Sequence, residues 1–230
     1  MIDPLRHLPI FKPHAFGNRL VDIIGVGATG SRIALSIAKL GITNIRLWDP
    51  DIVERHNIAN QSFCNEVEDI GKYKVDVMAK TIKDACGTVV GVERSRVDGT
   101  QNLGEVVFLL VDTMKDRKKI WEGSLKLHLT TGLVIETRMG VEGGRIYAIN
   151  PCLPSHIGGW EGTLYTDDEV VDTLPCGASV TAGPTAEIVS GMAVWQLINW
   201  AKMQLEDTED LIENEVIFSL RPYMFLTRKF

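Results

Sequence analysis

At 230 residues, 45% of them hydrophobic, the chain is long enough to bury one sizeable α/β core. A net charge of −6 gives no reason to expect nucleic acid or an anionic membrane as partner. Cys64, Cys86, Cys152 and Cys176 are widely spaced, which argues against a disulfide framework and suits a reducing compartment.

Residues 1–16 lack the apolar run of a signal peptide. The longest apolar stretch, residues 188–205, is interrupted by Gln196, Asn199 and Lys202 and does not read as a membrane span. A cytoplasmic protein is expected. Residues 21–61 carry most of the information. An apolar strand, 21–24, enters the turn Gly25-Val26-Gly27-Ala28-Thr29-Gly30. A helix follows, with Ile33, Ile37 and Leu40 on one face, and Gly41 ends it. A second apolar run, 45–48, closes on Asp49. Strand, glycine turn, helix, strand and acid make a nucleotide-binding βαβ unit. Gly25 permits the tight turn, Gly27 lets backbone approach a phosphate, and Gly30 lets helix and strand pack. The amides at the helix start face an anion. Asp49 lies near the roughly 20-residue spacing of a ribose-binding acid.

Further along, residues 69–84 have helical spacing, with Val75, Met78, Ala79 and Ile82 in phase. Residues 89–97 and 106–111 read as strands, and 113–123 as a polar helix. Residues 133–149 contain β-rich runs broken by Gly143-Gly144, a hairpin signal. Residues 150–183 read as loop, with Gly158-Gly159, Asp167-Asp168-Glu169 and three of the nine prolines. Pro184 suits the first turn of a long helix ending near Leu205, apolar nearly all round and expected to be buried on more than one side.

The segment after Asp49 goes beyond a plain dinucleotide site. It reads Asp49-Pro50-Asp51-Ile52-Val53-Glu54-Arg55-His56-Asn57, then Asn60-Gln61, Gly71-Lys72-Tyr73-Lys74, and Asp112 after an apolar strand. With Gly30-Ser31 before it, this order resembles the ThiF/MoeB/HesA family, relatives of the ubiquitin-activating enzymes, over residues 20–203. The resemblance implies a Rossmann-like α/β fold, with a mostly parallel sheet in the N-terminal half and a mixed or antiparallel extension. It implies a single domain over residues 1–230: an N-terminal segment, 1–20; a nucleotide-binding core, 21–112; and a loop-rich crossover, 150–183.

The implied activity is ATP-dependent adenylation of a carboxylate, with Mg2+. The expected acceptor is the C-terminal glycine of a small ubiquitin-like or sulfur-carrier protein, and a homodimer is expected. Nucleotide contacts would come from Gly25, Gly27, Ala28, Thr29, Gly30, Asp49, Asp51, Asn57, Asn60, Gln61 and Lys74. Lys74 would reach the phosphates and Asp112 would hold magnesium. On the residues alone, Lys74 also reads as a solvated helix lysine, Asp112 as a helix N-cap and Asn57 as a turn former. Arg6 is the candidate for an arginine that relatives take from the partner subunit. Cys176, in Leu174-Pro175-Cys176-Gly177, resembles the cysteine that accepts an acyl or sulfur group in relatives; a small loop cysteine is the alternative.

Two departures stand out. The family's Arg-Gln pair is Asn60-Gln61 here, so an arginine fork on the triphosphate is missing; Arg55 and Arg32 are candidates to replace it. The paired Cys-x-x-Cys motifs of zinc-bearing relatives are absent, so no zinc is expected. A non-catalytic nucleotide-binding scaffold and an NAD-dependent oxidoreductase remain open. The five histidines form no triad motif with Ser or Cys.

Overall fold

The computed structural model describes residues 3, 5–62, 67–166, 182–206 and 211–230. The eight strands among the described residues join one sheet in the order β3-β2-β1-β4-β5-β6-β7-β8. The strands are β1 (Val21–Ile24), β2 (Ile45–Trp48), β3 (Gly91–Glu93), β4 (Val106–Leu109), β5 (Leu133–Met139), β6 (Gly143–Ile149), β7 (Glu215–Leu220) and β8 (Tyr223–Arg228). Strands β1 to β5 pair in parallel; the β5–β6, β6–β7 and β7–β8 pairs are antiparallel. This is the mostly parallel sheet with an antiparallel extension that the resemblance implies. β1 and β4 are buried along their whole length, as continuous apolar runs require when helices cover both faces.

The helices are α1 (Pro13–Phe16), α2 (Ala28–Lys39), α3 (Lys74–Cys86), α4 (Met114–Ile120), α5 (Pro154–Glu161) and α6 (Gly183–Glu206). On one face, α2 buries Ile33, Ala34 and Ile37, and α3 buries Val75, Met78 and Ile82. α6 adds Val189, Ala193, Leu197 and Ile198 to the same core. The other face packs Ile24, Val107, Leu109 and Val134 against Trp121 and Trp160, whose ring centroids are 4.4 Å apart.

Several expected boundaries move. Residues 67–69 form a 3₁₀ turn and α3 starts only at Lys74. The intervening backbone pairs instead with the segment after Asp49: Gly71 N donates to Val53 O, and Val53 N to Lys72 O. The strand expected over 89–97 is three residues long, at the sheet edge. The helix of 113–123 ends at Ile120 and runs into a π-helical turn, Trp121–Leu125. Gly143-Gly144 open β6 rather than form the hairpin turn.

Residues 150–183 are not all loop: Pro154 starts α5, which docks through buried Trp160. The two glycines that suggested loop include Gly159, where a Cβ would lie 2.3 Å from the Phe230 ring. α6 is buried on one broad face, and Trp195 is 51% exposed on its outer stripe. β7 and β8 were not anticipated. No helix among the described residues is long and apolar enough to cross a membrane.

Candidate functional site

The strand order reverses at β1: β2 and β3 extend to one side, β4 and β5 to the other. In open α/β sheets such a switch point opens a crevice at the carboxyl ends of the strands. Here the glycine turn leaves β1 while residues 110–112 leave β4 beside it. The two are in direct contact. A Cβ on Gly25, whose φ is +97°, would lie 2.7 Å from the Leu110 carbonyl oxygen. A Cβ on Gly30 would lie 1.9 Å from the Gly25 carbonyl oxygen. Gly27 differs, because a Cβ there would meet nothing within 4 Å. The turn is thus closed behind Gly25 and Gly30 and open in front of Gly27. Among the described residues no side chain caps α2 at Gly27. The first amides of a helix have no intrahelical acceptor, so this end is suited to an anion.

Asp49 is buried at the end of β2 and ties the turn to the following segment. Its Oδ2 accepts from Val26 N at 2.7 Å and its Oδ1 from Asp51 N at 2.9 Å. Burial pushes this carboxyl above the ordinary range, and the Val26 amide and the Lys74 charge pull partly back. Each oxygen keeps a further lone pair for a hydroxyl donor. Lys74, the first residue of α3, is buried, and its Nζ donates to Asp51 Oδ2 at 2.9 Å. The backbone repeats the link, Lys74 N to Asp51 O at 2.9 Å. The spacing of Asp51 and Lys74 in the sequence therefore becomes one ion pair beside Asp49. It is not the freely solvated lysine of the alternative reading.

Asp112 is exposed just beyond β4. It does not cap α4; the Thr113 hydroxyl does, accepting from Asp116 N at 3.1 Å. A single carboxylate at a phosphate site suits magnesium, which takes one or two carboxylates and completes its shell with water and phosphate oxygens. Among the described residues no group of three or more His, Cys, Asp or Glu forms a cage.

Asn57 is buried, and its Oδ1 accepts from Glu54 N at 2.9 Å, which fixes the 3₁₀ turn Arg55–Asn57. The turn role assigned to this residue type is therefore present. Asn60 N and Gln61 N both bond back to Asn57 O. The Asn60 carbonyl in turn accepts from Arg32 Nη1 at 2.6 Å, so an arginine from α2 reaches the place where the motif lacks one. Gln61 Oε1 is buried without a partner among the described residues. Arg55 is exposed. Arg6 is exposed too, and no described hydrogen bond or ion pair joins it to this group. Cys176 lies outside the described residues.

Three polar residues outside the expected nucleotide contacts also meet this group. Ser190 Oγ donates to Thr29 O at 3.2 Å, Ser31 Oγ accepts from Ser62 N at 2.9 Å, and Glu187 pairs with Arg32. The signal for Ser190 and Glu187 was their place as polar residues in the first two turns of the largely apolar α6.

The ThiF family model matches residues 16–222. The chain belongs to the ThiF family. The catalytic subunit of the Arabidopsis thaliana NEDD8-activating enzyme E1 is 29% identical over 103 residues, which are 43% of this chain and 22% of that subunit. A crystal structure of E. coli MccB with MccA-N7isoASN superposes with a TM-score of 0.71 at 15% identity, covering 94% of this chain and 66% of that one. E. coli MccB with ATP gives 0.70 at 14%, covering 94% and 65%. PaaA gives 0.69 at 21%, also over 94% and 65%. The ThiF-family chain thus spans just under two thirds of these structures and about a fifth of the E1 subunit. At such identities the solved structures establish the shared fold.

Proposed function

We propose that this chain binds ATP with magnesium and adenylates a carboxylate, that of the C-terminal glycine of a small ubiquitin-like or sulfur-carrier protein. The observation that carries the reading is the convergence of the open glycine turn, the Asp51–Lys74 pair and Asp112 at one switch point. The MccA and ATP named with MccB, and the NEDD8 named with the E1 subunit, support the substrate classes.

In adenylation a carboxylate oxygen attacks the α-phosphorus, one P–O bond forms, the bond to the β-phosphate oxygen breaks, and pyrophosphate leaves. No proton has to move. The demand is electrostatic, because two anions must meet. The free amides of the glycine turn and the Lys74 ammonium offset phosphate charge. Asp49, held by two amides, offers its remaining lone pairs to the ribose hydroxyls. Asp112 would hold magnesium, which supplies charge neutralisation at the phosphates. Asn57 fixes the turn after Asp51, and Gln61 Oε1, buried without a partner among the described residues, is an acceptor left for the ligand or its water.

The single-domain division at residues 1–20, 21–112 and 150–183, the role of Cys176 as acyl or sulfur acceptor and that of Arg6 across a dimer belong to this proposal. So does the homodimer. A groove of about 360 Å³ between α6 and the β7–β8 hairpin is lined by Ile188, Met192, Phe218 and Phe225, and it supports a self-association surface.

The test is calorimetric titration with ATP–magnesium and with NAD, followed by ATP–pyrophosphate exchange with a panel of small proteins ending in Gly-Gly. ATP should bind and NAD should not. Lys74→Ala and Asp112→Ala should each lower exchange by about 10²–10³-fold, as loss of one transition-state contact does. Tight NAD binding without ATP binding overturns the proposal. ATP binding with no exchange for any acceptor leaves the scaffold reading in its place.

A further inference from the structure

Lys74 is not alone in bringing positive charge to the glycine turn. Arg32 lies one turn into α2, and its side chain folds back towards the start of that helix. Nη1 donates to the Ala28 carbonyl at 2.8 Å and to the Asn60 carbonyl at 2.6 Å. Nε donates to Glu187 Oε1 at 2.7 Å. Three bonds to three different elements fix the plane of the guanidinium. Nη2 has no hydrogen-bond partner among the described residues. A Cβ on Gly183 would lie 3.8 Å from Arg32 Nη2 and 3.9 Å from Asn60 Oδ1, so that arm and the Asn60 amide border the same space.

The charge balance favours a role towards an anion. The Arg32 side chain is only 11% exposed, whereas Glu187, its single acidic partner among the described residues, is 64% exposed. A solvated carboxylate offsets little of a largely enclosed guanidinium. The helix end next to it contributes about half an elementary charge of the same sign. A donor held in plane, with one arm unused and beside uncapped amides, is arranged for a phosphate oxygen. The competing cation, Lys74, has Asp51 to satisfy as well.

We infer that Arg32 is a polyphosphate ligand of this site, delivered from α2 to the position that Asn60 leaves without a cation. The inference rests on the ATP reading above. It predicts that Arg32 senses the β- and γ-phosphates rather than the nucleoside. The quantity to measure is therefore the ratio of ATP to AMP affinity, by calorimetry with magnesium and without acceptor. The variants are Arg32→Ala, Arg32→Lys, Asn60→Arg and the double Arg32→Ala/Asn60→Arg, each checked by thermal unfolding.

Arg32→Ala should shrink the ATP-to-AMP ratio by about 10- to 100-fold, in line with one charge-assisted hydrogen bond of about 1.5–3 kcal/mol. Arg32→Lys, which keeps the charge but not the fork, should lose about 3- to 10-fold and serves as the readout if the alanine variant fails to fold. The double variant should regain most of the ratio, because a guanidinium returns to the same space from the other side. An unchanged ratio in both Arg32 variants overturns the inference while leaving ATP binding intact. Equal weakening of ATP and AMP also overturns it, since that marks Arg32 as merely structural. Failure of the wild type to bind ATP overturns the ATP reading itself and the inference with it.

Discussion

Gly27 and Gly30 belong to one motif, yet the geometry assigns them opposite fates when each gains a single methyl group. At Gly30 the new Cβ would sit 1.9 Å from the Gly25 carbonyl oxygen and 3.0 Å from its carbon. The obstacle is backbone, so it cannot swing aside as a side chain would. The oxygen must retreat by more than an ångström, and Gly25 is itself hemmed against Leu110. Overpacking of a close-packed interior costs about 1–3 kcal/mol, and a backbone clash belongs at the upper end. For a chain of this length about 3 kcal/mol lowers the melting temperature by roughly 6–12 °C. Gly27→Ala should leave stability within about 1 kcal/mol, because its Cβ points into open space and its φ is negative. That open space is where a phosphate would lie, so Gly27→Ala should weaken ATP binding by at least tenfold, about 1.4 kcal/mol. Urea and thermal unfolding give the stabilities, and titration calorimetry gives the affinities. If Gly30→Ala melts with the wild type, or Gly27→Ala binds ATP unchanged, the account of the turn as closed behind and open in front is wrong.

A pH prediction follows from Asp49. Burial raises its carboxyl in the folded chain, so over the window from the ordinary carboxylate range up to that raised value the folded state holds more proton than the unfolded one. The stability of wild type relative to Asp49→Asn should therefore increase as pH falls through that window, read from urea unfolding at stepped pH; a difference that shrinks on acidification would contradict the sign. Glu136 is fully buried and accepts from Arg117, Arg138 and Trp160 Nε1, the last at 3.0 Å. Glu136→Ala strands two buried guanidinium groups and should cost about 3–5 kcal/mol by chemical denaturation, and pairing it with Arg138→Met should recover part of the loss. A cost under about 1 kcal/mol would mean that water reaches this cluster.

Much of the N-terminal half was legible because its signals are local. The glycine turn, the phase of Ile33 and Ile37, and the acid at the end of β2 each depend on neighbours in sequence. Asp51 and Lys74 were legible only as motif members; that they form an ion pair depends on the antiparallel bridge between Ile52 and Tyr73. α5 was hidden by Gly158 and Gly159, which local propensity counts against a helix. The tertiary reason for Gly159, the approach of the Phe230 ring from the far end of the chain, has no local signature. Arg32 could be named as a candidate by its position after the glycine turn. Nothing in the sequence pairs it with Asn60 or Glu187, since the first meeting is made by the turn that follows Arg55–Asn57 and the second by the docking of α6. β7 and β8 depend on β6 for their order, and one-dimensional pattern reading is weakest for strands joined by distant partners.

The contact of Gly25 and Gly30 with Leu110 has a consequence for how this chain matures. The glycine turn is assembled from both ends of residues 21–112, and its rear wall is the backbone leaving β4. A nascent chain that has completed β1, α2 and β2 owns every glycine of the motif but lacks the wall against which they close. Such a fragment would have no seat for a nucleotide, and ligand could not protect it from proteolysis. Binding competence should arise in a single step once β4 has docked beside β1, a pairing of high sequence separation that is slow to form. On the proposed function, nucleotide would act as a late clamp on an already ordered sheet and not as a template for its first strands.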